Sequence, residues 1–135
     1  MTPDGRYIIA VDFDGTLIKE NKWPDVDGVP DRALIKNLLT EQKKGNKLIL
    51  NTCRTGEALE EAVNWCKDQG IEFDAINDNL PELIEAYGEN TRKISADIYI
   101  DDRALHPYSV SWSFYNEYAM SITDHWLYNK GGNNA

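Results

Sequence analysis

Cysteine is scarce in this chain: Cys53 and Cys66 are the only two. No C-x-x-C or other ligand spacing accompanies them, so nothing points to a disulfide framework or a thiolate metal site. Both read as reduced, structural thiols. Basic excess is missing as well. Lys and Arg number 14 against 23 Asp and Glu, giving a formal charge of -9 and a pI near 4.6. The longest basic cluster is Lys43 with Lys44. That balance disfavours undirected nucleic-acid binding and repels polyphosphates and anionic membranes at long range, so a phosphate ligand has to be held by local groups and a metal.

Long hydrophobic runs are also lacking. None approaches the ~20 residues that span a bilayer, and MTPDGR at the start has no apolar signal core. The expected location is cytoplasmic, with no membrane partner. Histidine is nearly absent: His106 and His125 have no paired acid or nucleophile at a recognisable spacing and are not catalytic candidates. Trp23 is read as a loop residue outside the site.

What is present is an alternation of two periodicities. At 135 residues the chain has room for one core. A single domain over 1–128 is expected, followed by a disordered tail at 129–135 (NKGGNNA). The run 7–13 (YIIAVDF) is apolar and β-branched, the pattern of a strand buried on both faces. Residues 17–30 show no lasting period and read as a loop. Asp31 caps a helix carrying Leu34, Ile35, Leu38 and Leu39 at helical spacing and closing at Lys43, Lys44 and Gly45. A strand at 47–51 precedes a second helix running from Thr55 to Gly70, and a strand at 73–76 follows. A short helix over 80–87 has Pro81 in its first turn, and the last strand covers 96–100 (ADIYI).

Such alternation implies an α/β fold: a three-layer, Rossmann-like parallel sheet with helices on both faces and a ligand crevice at the carboxyl ends of its strands. Past Pro107 the pattern stops. Half of the aromatic residues fall within 108–128, where a helix is predicted over 113–127. This segment packs on the sheet, caps the crevice or forms a homo-oligomer surface; the pattern leaves all three open.

The charged residues gather at the strand ends. Asp12 and Asp14 flank Phe13 directly after a buried strand, where two carboxylates need partners or a cation to stay ionised. Hard oxygen ligands suit Mg²⁺, and Asp101 with Asp102 ends another strand. A turn with a solvated acidic rim is the plainer alternative for DFDGT taken alone. Against it stands an ordered set: DFDGT, Thr52, Lys93, and then Asp101 with Asp102. Arg54, next to the Thr52 strand end, is a candidate for clamping a phosphate in bidentate fashion, and Arg103 is a weaker one.

The stretch from about Tyr7 to Arg103 resembles the haloacid-dehalogenase-like (HAD) hydrolases, whose first motif, D-x-D-x-[TV], is matched by Asp12 to Thr16. Within that superfamily it is similar to small capless phosphatases of unassigned substrate. The resemblance implies that Asp12 attacks phosphorus to give an aspartyl phosphate. Asp14 then protonates the leaving oxygen and later activates water, and is expected to carry a proton near neutrality. Thr52 would hydrogen-bond a phosphoryl oxygen. Lys93 would neutralise the transferred group, with Arg92 as its rival. Asp12, the Asp14 main-chain carbonyl, Asp101 and Asp102 would bind Mg²⁺. No room for a cap exists between Thr16 and Asp31 or between Thr52 and Lys93.

The implied function is a Mg²⁺-dependent phosphatase acting on a phosphorylated small molecule. The alternatives are a polynucleotide-end phosphatase, which the acidic balance disfavours, and a non-catalytic phosphate-binding or signalling module. Receiver domains place their acidic pair after the first strand and the phosphorylated Asp on a middle one; here D-x-D comes first and the adjacent pair last.

Overall fold

The computed structural model describes residues 1–104, of which Met1–Asp102 forms one compact unit. The aromatic stretch 108–128, the helix expected over 113–127, the tail at 129–135 and both histidines lie outside the described residues. In chain order the elements are β1 (Ile8–Val11), β2 (Ile18–Lys19), β3 (Val29–Pro30), α1 (Arg32–Lys43), β4 (Lys47–Leu50), α2 (Gly56–Asp68), β5 (Ala75–Ile76), α3 (Pro81–Tyr87) and β6 (Ile98–Ile100).

The described residues build a parallel sheet in the order β5-β4-β1-β6, flanked by helices in the α/β arrangement expected. β1 is buried along its whole length because it is an inner strand with packing on both faces. Ile9 and Val11 enter one core with Ile35 and Leu38 of α1 and Ala62 and Cys66 of α2, whereas Ile8 and Ala10 enter another with Leu80 and with Leu83 of α3. The period-two alternation of a strand thus feeds two helical layers. Chain direction explains the sides. The path steps from β1 to β4 to β5 through α1 and α2, then doubles back to the far side of β1. With right-handed crossovers that reversal places α3 on the opposite face.

Local chemistry sets the helix ends. Asp31 Oδ1 accepts the Leu34 N–H at 3.0 Å, filling one orphan donor of the first turn. Asp31 also pairs with Lys19 Nζ at 3.2 Å, tying β2 to the start of α1. Pro81 occupies the first turn of α3, where its missing N–H costs nothing.

Residues 17–30 differ from the expected loop. β2 and β3 pair antiparallel there, Ile18 with Pro30 and Lys19 with Val29. The pair follows a tight turn in which the Phe13 carbonyl accepts N–H groups from Thr16, Leu17 and Ile18. That turn buries two adjacent apolar residues, Leu17 and Ile18, too short an apolar run to announce an element in the sequence. Among the described residues no helix is long and apolar enough to cross a membrane.

Candidate functional site

In a doubly wound sheet, loops diverge where the strand order reverses, and the gap between them is a crevice. Here the reversal lies between β1 and β6, the strands that lead into Asp12 and into Asp101 and Asp102. The Asp12 N–H donates to the Ile100 carbonyl at 2.9 Å, extending the β1–β6 ladder to the first acidic residue. One carboxylate oxygen from each of Asp12, Asp101 and Asp102 lies within 4.8 Å of the other two. This brings together three of the predicted residues separated by some 90 positions of sequence, and it forms a set of hard oxygen donors able to hold a divalent cation.

Thr16 stitches the two loops together. Its buried hydroxyl accepts the Asp102 N–H at 3.1 Å and lies 3.4 Å from Asp12 Oδ2. Gly15 has φ +78°, a conformation open to glycine at little steric cost, and the Asp102 side chain sits against its Cα. Burial, and after it the charges of Asp101, Asp102 and Asp14, push the Asp12 carboxyl up to about 6, against a backbone hydrogen bond from Phe13 that acts the other way.

Asp14 belongs to a different cluster. Both of its carboxylate oxygens are taken by Arg54: Nε donates to Oδ2 and Nη2 to Oδ1, each at 2.8 Å. Asn21 Nδ2 adds a third bond at 3.0 Å. Burial alone would raise this carboxyl, but the bonds from Arg54 and Asn21 and the Arg54 charge outweigh it and hold Asp14 below the usual carboxylate value. The expectation that Asp14 carries a proton near neutrality is therefore corrected, because a bidentate guanidinium favours the ionised form. The raised group is Asp12 instead.

Arg54 also departs from its expected role as a phosphate clamp. Its side chain is 0% exposed. Besides the two bonds to Asp14, Nη1 donates to the carbonyls of Pro24 and Ala58, and Nη2 lies 3.4 Å from that of Asp25. With these contacts every N–H direction of the guanidinium is directed at a protein oxygen. The ring of Phe13 lies 4.9 Å from its Cζ and that of Trp23 4.8 Å. Trp23 accordingly covers Arg54 while remaining largely exposed itself.

Thr52, at the end of β4, accepts the Arg54 N–H on its hydroxyl at 3.2 Å and donates its own N–H to Asn77 Oδ1 at 2.8 Å. Lys93 is exposed, and its Nζ lies 5.4 Å from the Tyr99 ring centroid. Among the described residues it forms no ion pair with a carboxylate, so it is not gathered with Asp12. Arg92 is exposed too. The loop that carries both is fixed by Asn79, a buried side chain whose Nδ2 donates to Asn90 Oδ1 at 2.9 Å and the Thr91 carbonyl at 3.0 Å, while its Oδ1 accepts the Ser95 N–H at 2.7 Å.

Asn21, Asn77 and Asn79 were not singled out from the sequence. Asparagine is an ordinary loop residue, and only the paired positions identify these three as anchors. Thr16 lay inside DFDGT, and its place in the motif was the available signal.

No protein-family model matches the chain, and no curated protein matches it significantly. Among solved structures, a conserved protein coded by a locus of Bacteroides thetaiotaomicron is 37% identical, with a TM-score of 0.64 over 87% of this chain and 93% of that one. At that identity over nearly the full length of both proteins, the chain belongs to the same family as this conserved Bacteroides protein.

Proposed function

We propose that the chain is a Mg²⁺-dependent phosphatase of the HAD-like kind that hydrolyses the monoester of a phosphorylated small molecule through an aspartyl phosphate on Asp12. The observation that carries this reading is the convergence of Asp12, Asp101 and Asp102 at the strand-order reversal, beside a D-x-D-x-T turn. The donor set fits the metal: burial and the neighbouring carboxylates raise Asp12, and a hard divalent cation offsets both by favouring the ionised form. Asp12, Asp101 and Asp102 would hold Mg²⁺, joined by the Asp14 main-chain carbonyl as the resemblance implies. When bound, the ion supplies positive charge to the phosphoryl oxygens and keeps Asp12 ionised.

Asp12 attacks phosphorus, and the bond from phosphorus to the leaving oxygen breaks as that oxygen takes a proton from Asp14. Water then attacks the same phosphorus, Asp14 takes up its proton, and the bond to Asp12 breaks to release inorganic phosphate. The resting carboxylate of Asp14 suits the second step directly, whereas the first requires it to gain a proton. The Thr52 hydroxyl is assigned to a phosphoryl oxygen. Lys93 is assigned to the charge of the transferred group, a role that requires its ammonium to leave the Tyr99 ring.

The acidic balance favours a small phosphomonoester over a polynucleotide end, and two free cysteines fit a reducing, cytoplasmic compartment. The test is phosphate release from an aryl phosphate, a panel of small phosphomonoesters and phosphorylated oligonucleotides, with the intact chain and Asp12→Asn. Release that is abolished by chelator and by the substitution is expected. Equal release by both proteins, or none on any substrate, sinks the reading.

A further inference from the structure

A carboxylate that handles protons in catalysis has to be aimed, because a misplaced group loses much of its rate contribution. Asp14 follows β1, and its side chain is 32% exposed, so packing alone leaves the carboxyl plane free to turn. What restricts it is Arg54. The two parallel bonds of 2.8 Å fix both position and plane. Arg54 is in turn immobilised from several sides: by the Ala58 carbonyl in the first turn of α2, by the Pro24 and Asp25 carbonyls in the segment between β2 and β3, and by the rings of Phe13 and Trp23. Asn21 joins the same assembly, bonding Asp14 Oδ1 and the Asp25 carbonyl with one amide.

We infer that Arg54 is the positioning residue of Asp14, holding its carboxylate for proton transfer without touching the substrate. The inference rests on the phosphatase reading above and gives Arg54 a role different from phosphate binding. A phosphate clamp contributes to binding, so its loss raises KM. A positioning residue acts through another group, so its loss lowers kcat and leaves KM in place.

The test is a kinetic cycle over the intact chain, Arg54→Gln, Asp14→Asn and the double variant, with Asp12→Asn as the control for the reading itself and thermal unfolding recorded for each protein. Arg54→Gln is expected to lower kcat by about 10²-fold, inside the range that a positioned acid or base supplies, with KM changed by no more than about twofold. In the Asp14→Asn background the same substitution should change kcat little, because the group it aims is already gone. Arg54→Lys, which keeps the charge and loses the fork, should recover only part of the rate. A merely structural role would lower kcat by the same factor in both backgrounds, and that result overturns the inference, as does a raised KM with kcat intact. If Arg54→Gln does not fold, Trp23→Leu carries the test. Stripping the exposed ring from the guanidinium should lower kcat several-fold at constant KM by loosening the clamp, and an unchanged kcat or a raised KM overturns the inference. Phosphate release that does not depend on Asp12 sinks the phosphatase reading and this inference together; dependence on Asp12 with an additive cycle sinks the inference alone.

Discussion

Gly15 and Asp102 are in direct contact across the gap between β1 and β6: a Cβ built on Gly15 would fall 2.8 Å from Asp102 Cγ. The Asp102 side chain occupies space that exists because residue 15 has none. Gly15→Ala should therefore do two things. The positive φ makes alanine unfavourable by about 1 kcal/mol, lowering thermal stability. The displaced Asp102 should also weaken Mg²⁺ binding by ~10-fold or more, read as a smaller rise in melting temperature on adding Mg²⁺. A variant that responds to the ion as the parent does would show that Asp102 is not held in place by this contact.

The raised Asp12 carboxyl sets a pH dependence for the metal-free protein. Between the ordinary value of 3.8 and about 6, the folded state binds the Asp12 proton more tightly than the unfolded chain does. Stability from this group is therefore lost as pH rises through that window, the reverse of a salt-bridged acid. In chelator, Asp12→Asn should gain stability relative to the parent on going from pH 4 to pH 7, measured by urea unfolding. Added Mg²⁺ should narrow the gap at pH 7, because the ion stabilises the charged form. A difference that stays flat with pH would place Asp12 outside the acidic cluster.

Cys53 and Cys66 should separate cleanly by reactivity. Cys53 is exposed, whereas burial pushes the Cys66 thiol up to about 12, leaving almost no thiolate at neutral pH. A thiol reagent should modify the first quickly in the native protein and the second only on unfolding. Fast modification of both would mean that the α2 packing opens readily.

Asp31 joins a cap to an ion pair. Asp31→Ala should cost about 1 kcal/mol through the lost Leu34 N–H bond, while the exposed partner Lys19 adds little. The measurement is again the urea midpoint, compared with Lys19→Ala, which should change stability by less than the cap variant does.

Much of the scaffold was legible from pattern. β1 announces itself as a β-branched run, β4 as a short apolar one, and α1 as leucines and isoleucine at helical spacing after an acidic cap. The end of β1 places Asp12, and the end of the strand predicted over 96–100 places Asp101, at the carboxyl edge of the sheet. What pattern could not reach were relations between distant loops. Arg54 follows a strand end that looks open to ligand. Its commitment to Asp14, at a separation of 40 residues, depends on a β2–β3 pair too short to show a period. Lys93 rests on the family resemblance, with Arg92 as its rival, whereas its side-chain direction is decided by a loop anchored on Asn79 and by the Tyr99 ring. The reversed ordering of the two motif acids has the same origin. Burial, and then the proximity of Asp101 and Asp102, raises one and a buried guanidinium lowers the other, and none of this is written in a one-dimensional string.

The pairing of β1 with β6 also bears on how the protein matures. Asp12 precedes its acidic companions by some 90 positions, and β6 takes its place beside β1 in register Ile9 with Ile98 through Val11 with Ile100. Until that late, long-range pairing closes, a nascent chain displays a lone D-x-D turn with no carboxylate cluster to capture an ion. Under the proposed function, docking of β6 and acquisition of ion affinity would be the same event. Uptake of a divalent cation during refolding would report arrival of β6, and a fragment ending before residue 98 would remain indifferent to it.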